Sequence, residues 1–344
     1  MNKKITIDDV ARLAGVSIKT VSRVTNNEPN VRADTRIRVS QAIAELGYRP
    51  NPSARSLAAR RSYLIGLVYD NPSPSYLINV QNGALTACRA AGYDLVIYPC
   101  DYRSASLADD LARMVQQSRL DGIVLTPPLC DMGVVTDALT EIDVPFTRVA
   151  PADEKFADQS VVTNDTEISR VMTHHLLDLG HRDIAFVRGH PDHGAVCNRY
   201  EGYRAAMAEA GIRPRKEWVV QGFNSVDSGE ECARRLLRGA ARPSAIFAAN
   251  DDMAAGTLRA AHALGISVPG TLSVAGFDDT PMARQVWPAL TTISQPIRRM
   301  AASAAELLLR RLRDQSSDDV SRHLECGLIL RDTTAAAPQV RQVG

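Results

Sequence analysis

Between Ser17 and Asn26 the chain reads SIKTVSRVTN, and almost every side chain in it could touch a nucleic acid. Lys19 can donate to the O6 and N7 acceptors of guanine, and Arg23 could do so with two parallel bonds. Ile18 offers only apolar contact, of the kind a thymine methyl accepts. Ser17, Thr20, Ser22 and Asn26, with Thr6 upstream, are short polar groups suited to phosphate oxygens, contacts that position a protein without reading sequence. Residues 1–61 hold twelve basic and five acidic side chains, a balance of +7, whereas the remainder holds 28 and 34, a balance of −6. A basic head on a mildly acidic body suggests that the head alone meets a polyanion. A merely solvated basic face is the plain alternative.

Short helices must hold these groups. Thr6 precedes a helical pattern whose first turn carries Asp8 and Asp9, which suits the positive end of a helix dipole. Ile7, Val10, Ala11 and Ala14 give that helix an apolar face. Gly15 stops it, and Ser17 can cap a second helix running to about Val24, with Val21 and Val24 facing inward. The small Ala11 lets the two helices cross closely. A third amphipathic stretch, 33–46, carries Ile37, Val39, Ala42, Ile43 and Leu46 before Gly47 ends it. Helix, Gly-containing turn and short helix make a helix-turn-helix pattern.

The phrases TIDDVARLAGVSIKTVSRVTNN and TRIRVSQAIAELGYRPNPSARSLAARR resemble the DNA-binding head of the lactose-repressor (LacI) family without a break. The resemblance implies that the helix over 17–25 lies in the major groove of a double-stranded operator, with Ile18, Lys19 and Arg23 toward base edges. It also implies that residues 51–61 are a hinge helix that orders in the minor groove. There Leu57 would be wedged into a base step, with Arg55, Arg60 and Arg61 near phosphates. Such a wedge makes physical sense, because unstacking is offset by wider contact. With little apolar mass, this segment alone is a marginal helix.

From Tyr63 short apolar runs alternate with amphipathic helices. LIGLVY (64–69), DLVIYP (94–99), GIVLTP (122–127) and VPFTRV (144–149) read as buried strands, with helices at 78–91 and 107–118. A second series reads SVVTND (160–165), DIAFVRG (183–189), SAIFAAND (244–251) and LSVAGFDD (272–279), with helices near 166–179, 199–210, 228–238 and 252–264. Each series predicts a parallel sheet flanked by helices. Many of the runs end in Asp, Asn or Pro, and in open α/β sheets a ligand lies at the carboxyl ends of the strands.

The phrases LGHRDIAFVRG, NRYEGYRAAMAEAGI, AIFAANDDMAAGTLRAAHALGISVPGTLSVAGFDD and RDTTAAAP resemble the rest of the same family, whose core is like a type I periplasmic sugar-binding protein. The expected fold is therefore an all-α helix-turn-helix head plus an α/β body of two doubly wound parallel-sheet subdomains. The expected divisions are a head at 1–50, a hinge at 51–61 and an effector and dimerisation core at 62–344. Within the core, one subdomain takes about 62–162 and 292–324, the other about 163–291 and 325–334. By position, the resemblance assigns effector binding to Arg199, Asp278, Asn250 and Asp165, with Asp70, Asn71 and Ser73 on the first subdomain's side. The alternative for several of these is a helix cap or turn. Carboxylates, amides and a guanidinium suit a polyhydroxylated ligand, because fixed donors and acceptors pair with vicinal hydroxyls. Where relatives place a stacking aromatic, this chain has Asn224, leaving Phe223, Tyr76, Phe156 or Trp287 as candidate platforms, or no platform at all.

The expected protein is a repressor of carbohydrate-utilisation genes that leaves a near-palindromic operator on binding a sugar or glycoside. A regulator co-repressed by a purine or another small molecule is the alternative. A homodimer is expected, because one short recognition helix reads few bases and the C-terminal residues carry no leucine heptad. No GxGxxG follows the first strand and no GxSxG occurs, so an enzyme and a bound cofactor are disfavoured, while the basic head and the lack of a secretion-signal pattern disfavour a transport-type binding protein. The six cysteines form no CxxC pair, and the spacing of His190 and His193 lacks a third ligand, so no metal is expected. No apolar run spans a bilayer and MNKKITIDDV is not a secretion signal, which leads to a cytoplasmic expectation.

Overall fold

A computed structural model describes residues 5–25, 30–48, 56, 61–152, 159–239, 241–313 and 322–338. Asn26, Arg55, Leu57 and Phe156 lie outside the described residues, and so does almost all of the expected hinge. The chain divides into two compact units, Met1–Ser62 and Tyr63–Gly344.

The first unit holds α1 (Ile7–Ala14), α2 (Ile18–Thr25) and α3 (Ala33–Leu46). Asp9 reaches back to accept from the Thr6 N–H at 2.9 Å and from the Thr6 hydroxyl at 2.8 Å. Gly15 ends α1 at φ +62°, with open space where a Cβ would stand, so backbone conformation alone demands glycine here. The Ser17 hydroxyl accepts from the Thr20 N–H at 3.2 Å and opens α2. Val10, Ala11, Ala14, Val21, Val24, Val39 and Ala42 form the core. Ile37 does not join them: it is 58% exposed. It stands two residues from the buried Val39, about 200° round the helix, so the apolar face is narrower than the sequence suggests.

The second unit begins with β1 (Leu64–Tyr69), α4 (Pro74–Ala90), β2 (Asp94–Pro99), α5 (Leu107–Ser118), β3 (Gly122–Leu125), α6 (Gly133–Glu141), β4 (Phe146–Val149) and β5 (Ser160–Thr163). It continues with α7 (Asp165–Asp178), β6 (Ile184–Arg188), α8 (Gly194–Glu209), β7 (Val219–Gln221), α9 (Val226–Leu237), β8 (Ala245–Ala248), α10 (Asp251–Ala263) and β9 (Ser273–Ala275). The last elements are α11 (Met282–Gln285), β10 (Thr292–Ser294), α12 (Ile297–Leu312), β11 (Arg322–Leu324) and β12 (Gly327–Ile329).

Two parallel sheets result, one ordered β11-β5-β4-β3-β1-β2 and the other β7-β6-β8-β9. The run at 160–165, placed by sequence in the second series, belongs instead to the first sheet. Its Ser160 and Val161 pair with Arg148 and Val149, and its far side pairs with β11. An apolar run announces a strand but not its neighbour, and the neighbour is set by non-local pairing. Each sheet has its own core, with Phe186, Phe247 and Tyr203 fully buried in the second and Ile65, Leu67 and Leu111 fully buried in the first. Burying such side chains stabilises the fold by about 1.5–3 kcal/mol each.

The chain passes from one sheet to the other through β10. Asp278 and Ser294 form a parallel bridge there, α12 then packs on the first sheet, and β12 returns to pair antiparallel with β10. Thr333 closes the second sheet by accepting from the Val274 N–H at 2.8 Å.

Candidate functional site

In the head, helix α2 turns Val21 and Val24 into the core, and this fixes what faces outward. Ser17, Ile18 and Lys19 are exposed, while Thr20, Ser22 and Arg23 are half-buried. Ile18 is 48% exposed, which leaves its side chain open to apolar contact. Several short polar groups already have local partners. The Thr6 hydroxyl binds Asp9, and those of Ser17 and Thr20 lie 2.9 Å apart. Their first role is therefore to build the helix ends.

In the body, the carboxyl ends of strands from both sheets converge on one cleft with about 440 Å³ of unfilled space, mouth included. Six residues assigned by sequence line it: Asn71, Ser73, Arg199, Asn224, Asn250 and Asp278. Two do not. Asp70 lies beside the cleft and accepts from the Tyr102 N–H at 3.0 Å. Asp165 lies behind the lining, where it holds Arg199.

Arg199 comes from the first turns of α8, which begins at Gly194, five residues before the expected start. It is almost fully buried, and its Nε donates to Asp165 Oδ2 at 3.0 Å. One terminal nitrogen donates to the Ala249 carbonyl at 2.5 Å and lies 3.4 Å from Asp278 Oδ1. Its guanidinium stacks on the Phe277 ring at 3.6 Å. Arg199 is thus both a cleft group and the counterion of two buried carboxylates.

Asp278 sits at φ +113°, an uncommon conformation for a residue with a Cβ. Its Oδ1 is buried with the Arg199 nitrogen at 3.4 Å as an ion pair but with no well-formed hydrogen bond. Burial pushes its carboxyl up to about 7; Arg199 opposes the shift, and Asp252 and Asp165 add to it. An acceptor left short of a full hydrogen bond on a cleft wall is costly unless something supplies a donor.

Two other assigned residues also serve as caps. Asn250 Oδ1 accepts from the Met253 N–H at 2.9 Å, and its Nδ2 donates to the Asn224 carbonyl at 3.2 Å. Ser73 Oγ accepts from the Tyr76 N–H at 3.4 Å. A link between loops of the two sheets forms at Tyr102, whose hydroxyl donates to Asp192 and accepts from Arg103 Nε at 2.8 Å. Of the described candidate platforms, only Tyr76 lines the cleft. Trp287 is 90% exposed, and Phe223 packs edge-on against His190 outside the lining.

Sequence reasoning missed His193 and Gln295 as lining residues. His193 was visible only as half of a metal-like pair in a loop, and Gln295 carries no local signal at all. Gln295 Oε1 lies 3.5 Å from an Arg199 nitrogen, in the segment that joins the two sheets. Among the described residues no group of three or more His, Cys, Asp or Glu side chains is placed to hold a metal ion. No described helix is long and apolar enough to cross a membrane.

Comparison with known proteins agrees with both units. Residues 6–51 match the family model described as bacterial regulatory proteins, lacI family, and residues 173–334 match a periplasmic binding protein-like domain. The HTH-type transcriptional repressor PurR of Vibrio campbellii is 34% identical over 334 residues, 95% of this chain and 98% of that protein. Two solved structures are similar over nearly the whole chain. The complex of the transcriptional regulator CelR with cellobiose has a TM-score of 0.74 at 31% identity, covering 96% of this chain and 99% of that one. The lac repressor dimer bound to operator and the anti-inducer ONPF has a TM-score of 0.79 at 29% identity, covering 97% and 100%. With a lacI-type head, a periplasmic-binding-protein-like body and relatives that match from end to end, this chain belongs to the LacI family of DNA-binding transcription regulators and is not an enzyme.

Proposed function

We propose that this protein is a repressor whose hold on its operator is set by a sugar or glycoside bound between the two sheets of the body. The observation that carries the effector class is Oδ1 of Asp278, a buried acceptor on the wall of a polar cleft that is ion-paired to Arg199 yet lacks a full hydrogen bond. A ligand hydroxyl supplies the missing hydrogen bond, while Arg199, Asn71 and Gln295 offer further polar contacts nearby. The cellobiose complex of a similar regulator supports the same class. The rival effector is a purine, which the relatives named PurR favour. The cleft speaks against a flat base, since Asn224 stands where an aromatic face would be needed and Tyr76 is the one aromatic on the described lining apart from His193.

In the head, Ile18, Lys19 and Arg23 are the base readers of this proposal, and a homodimer presents two copies of α2 to a near-palindromic site. The lac repressor dimer on operator supports that arrangement. An effector shifts operator affinity only by binding one state of the body better than the other. Tyr102–Asp192 joins loops of the two sheets and is a contact such a shift would break or keep.

The test is a thermal-shift screen with cellobiose, D-ribose, D-glucose, hypoxanthine and guanine, followed by operator gel shifts with each compound that stabilises the protein. The expected result is stabilisation by a sugar and altered operator affinity at the same concentrations. Stabilisation by a nucleobase alone would sink the sugar reading.

A further inference from the structure

The wall that lacks an aromatic holds a chain of hydrogen bonds instead. The His190 N–H donates to Asn224 Oδ1 at 3.1 Å, so the amide oxygen faces His190 and cannot be exchanged with the nitrogen. Asn224 Nδ2 then lies 3.4 Å from His193 Nδ1 and can only donate to it. Asn224 itself sits at φ +59°, a conformation that asparagine adopts more readily than most residues. It fits there because residue 189 is glycine: a Cβ at 189 would stand 2.3 Å from Asn224 Oδ1. His193 is 5% exposed and lines the cleft, and its Nε2 has no hydrogen-bond partner among the described residues. Burial and the neighbouring His190 lower its pKa to about 4, so at neutral pH the ring carries one proton.

We infer that His193 is a specificity-determining contact of the effector cleft. Asn224 holds its Nδ1 as an acceptor, so the ring offers an Nε2–H donor to a ligand oxygen. The inference rests on the effector reading above and deepens it. An aromatic platform selects a flat or apolar face, whereas this wall selects an acceptor. With Asp278 Oδ1 ion-paired to Arg199 but short of a full hydrogen bond, the cleft asks for groups that both give and take hydrogen bonds, as hydroxyls do. Asn224 is a positioning residue in this scheme, fixing the tautomer of His193 rather than touching the ligand.

The tautomer is tested without ligand, by long-range proton–nitrogen correlation on the full chain labelled with 15N-histidine, with the His193→Gln spectrum assigning the peak. The expected state is protonated at Nε2 with Nδ1 bare. In Asn224→Asp the carboxylate accepts but cannot donate, so the proton should move to Nδ1. A parent protein protonated at Nδ1, or an Asn224→Asp protein with unchanged tautomer, overturns the relay. The contact is tested with cellobiose by calorimetry. His193→Gln, which keeps an N–H donor, should bind comparably to the parent, and His193→Leu should lose about tenfold. Equal affinity of the two variants overturns the contact. Failure of the parent to bind cellobiose or any other sugar in the screen overturns the sugar reading and the contact with it, while the ligand-free spectrum judges the relay alone.

Discussion

The head and the body solve opposite problems with the same kinds of residue. In the head, polar side chains act locally: Asp9 on Thr6 and Ser17 on Thr20 are three residues apart, and a seven-residue core holds three helices together. In the body, polar side chains act at a distance. Arg199 joins Asp165, Ala249, Asp278 and Gln295, partners separated from it by 34 to 96 residues. A site built from neighbours in sequence tolerates damage elsewhere in the chain. A site built from the ends of many strands is also part of what holds those strands in place. Both tryptophans, Trp218 and Trp287, lie in the body, so their fluorescence follows that unit while operator binding follows the head.

The largest effect should come from Arg199→Ala. As a residue assigned to effector binding alone, Arg199 would cost only the effector response when truncated. The structure predicts more: two buried carboxylates lose their counterion, which destabilises the body by about 3–5 kcal/mol. Urea unfolding followed by tryptophan emission should show it. A variant with parental stability would mean that Arg199 only lines the cleft.

Asp278→Asn comes next, with an effect on the order of a few kcal/mol that depends on pH. The carboxyl titrates near 7 in the folded chain and near its ordinary value when unfolded. A raised carboxyl favours the folded state fully at acid pH, and this advantage is lost as pH climbs to about 7. The melting temperature of the variant minus that of the parent should therefore rise from pH 4 to pH 7 and level off above it. A flat difference would show that Asp278 titrates normally.

Lys19→Ala and Arg23→Ala should each cost about 1–3 kcal/mol of operator affinity and leave the tryptophan transition unmoved. An equal loss on unrelated DNA would recast both residues as phosphate contacts. Gly15→Ala forces a Cβ into the left-handed region and should lower head stability by about 1–2 kcal/mol, read as operator binding that fails at a lower temperature. The smallest change is Tyr102→Phe. It removes two exposed hydrogen bonds, one to Asp192 and one from Arg103, which is expected to shift effector affinity by less than about tenfold with body stability unaltered.

Much of the head was legible in the sequence. Caps, the turn glycine and the spacing of Val10, Val21 and Val24 are local signals, and the structure departs from them only where Ile37 turns outward. The body was legible as a rhythm of strands and helices, and six of the eight assigned polar residues do meet at one cleft. The partners of those residues were not legible. Nothing in the run at 160–165 says that it pairs with β4, and nothing in GHPDHG says that His193 will stand beside Asn224.

The sequence by itself determined where helices begin and stop, which faces are apolar and which family the chain resembles, because each of these depends on neighbours a few residues apart. Tertiary structure alone decided that Arg199 is the counterion of two buried acids, that Asp278 Oδ1 lacks a full hydrogen bond and that Asn224 holds His193. Those properties depend on burial and on distances between strand ends, and both come into being only when the two sheets pack.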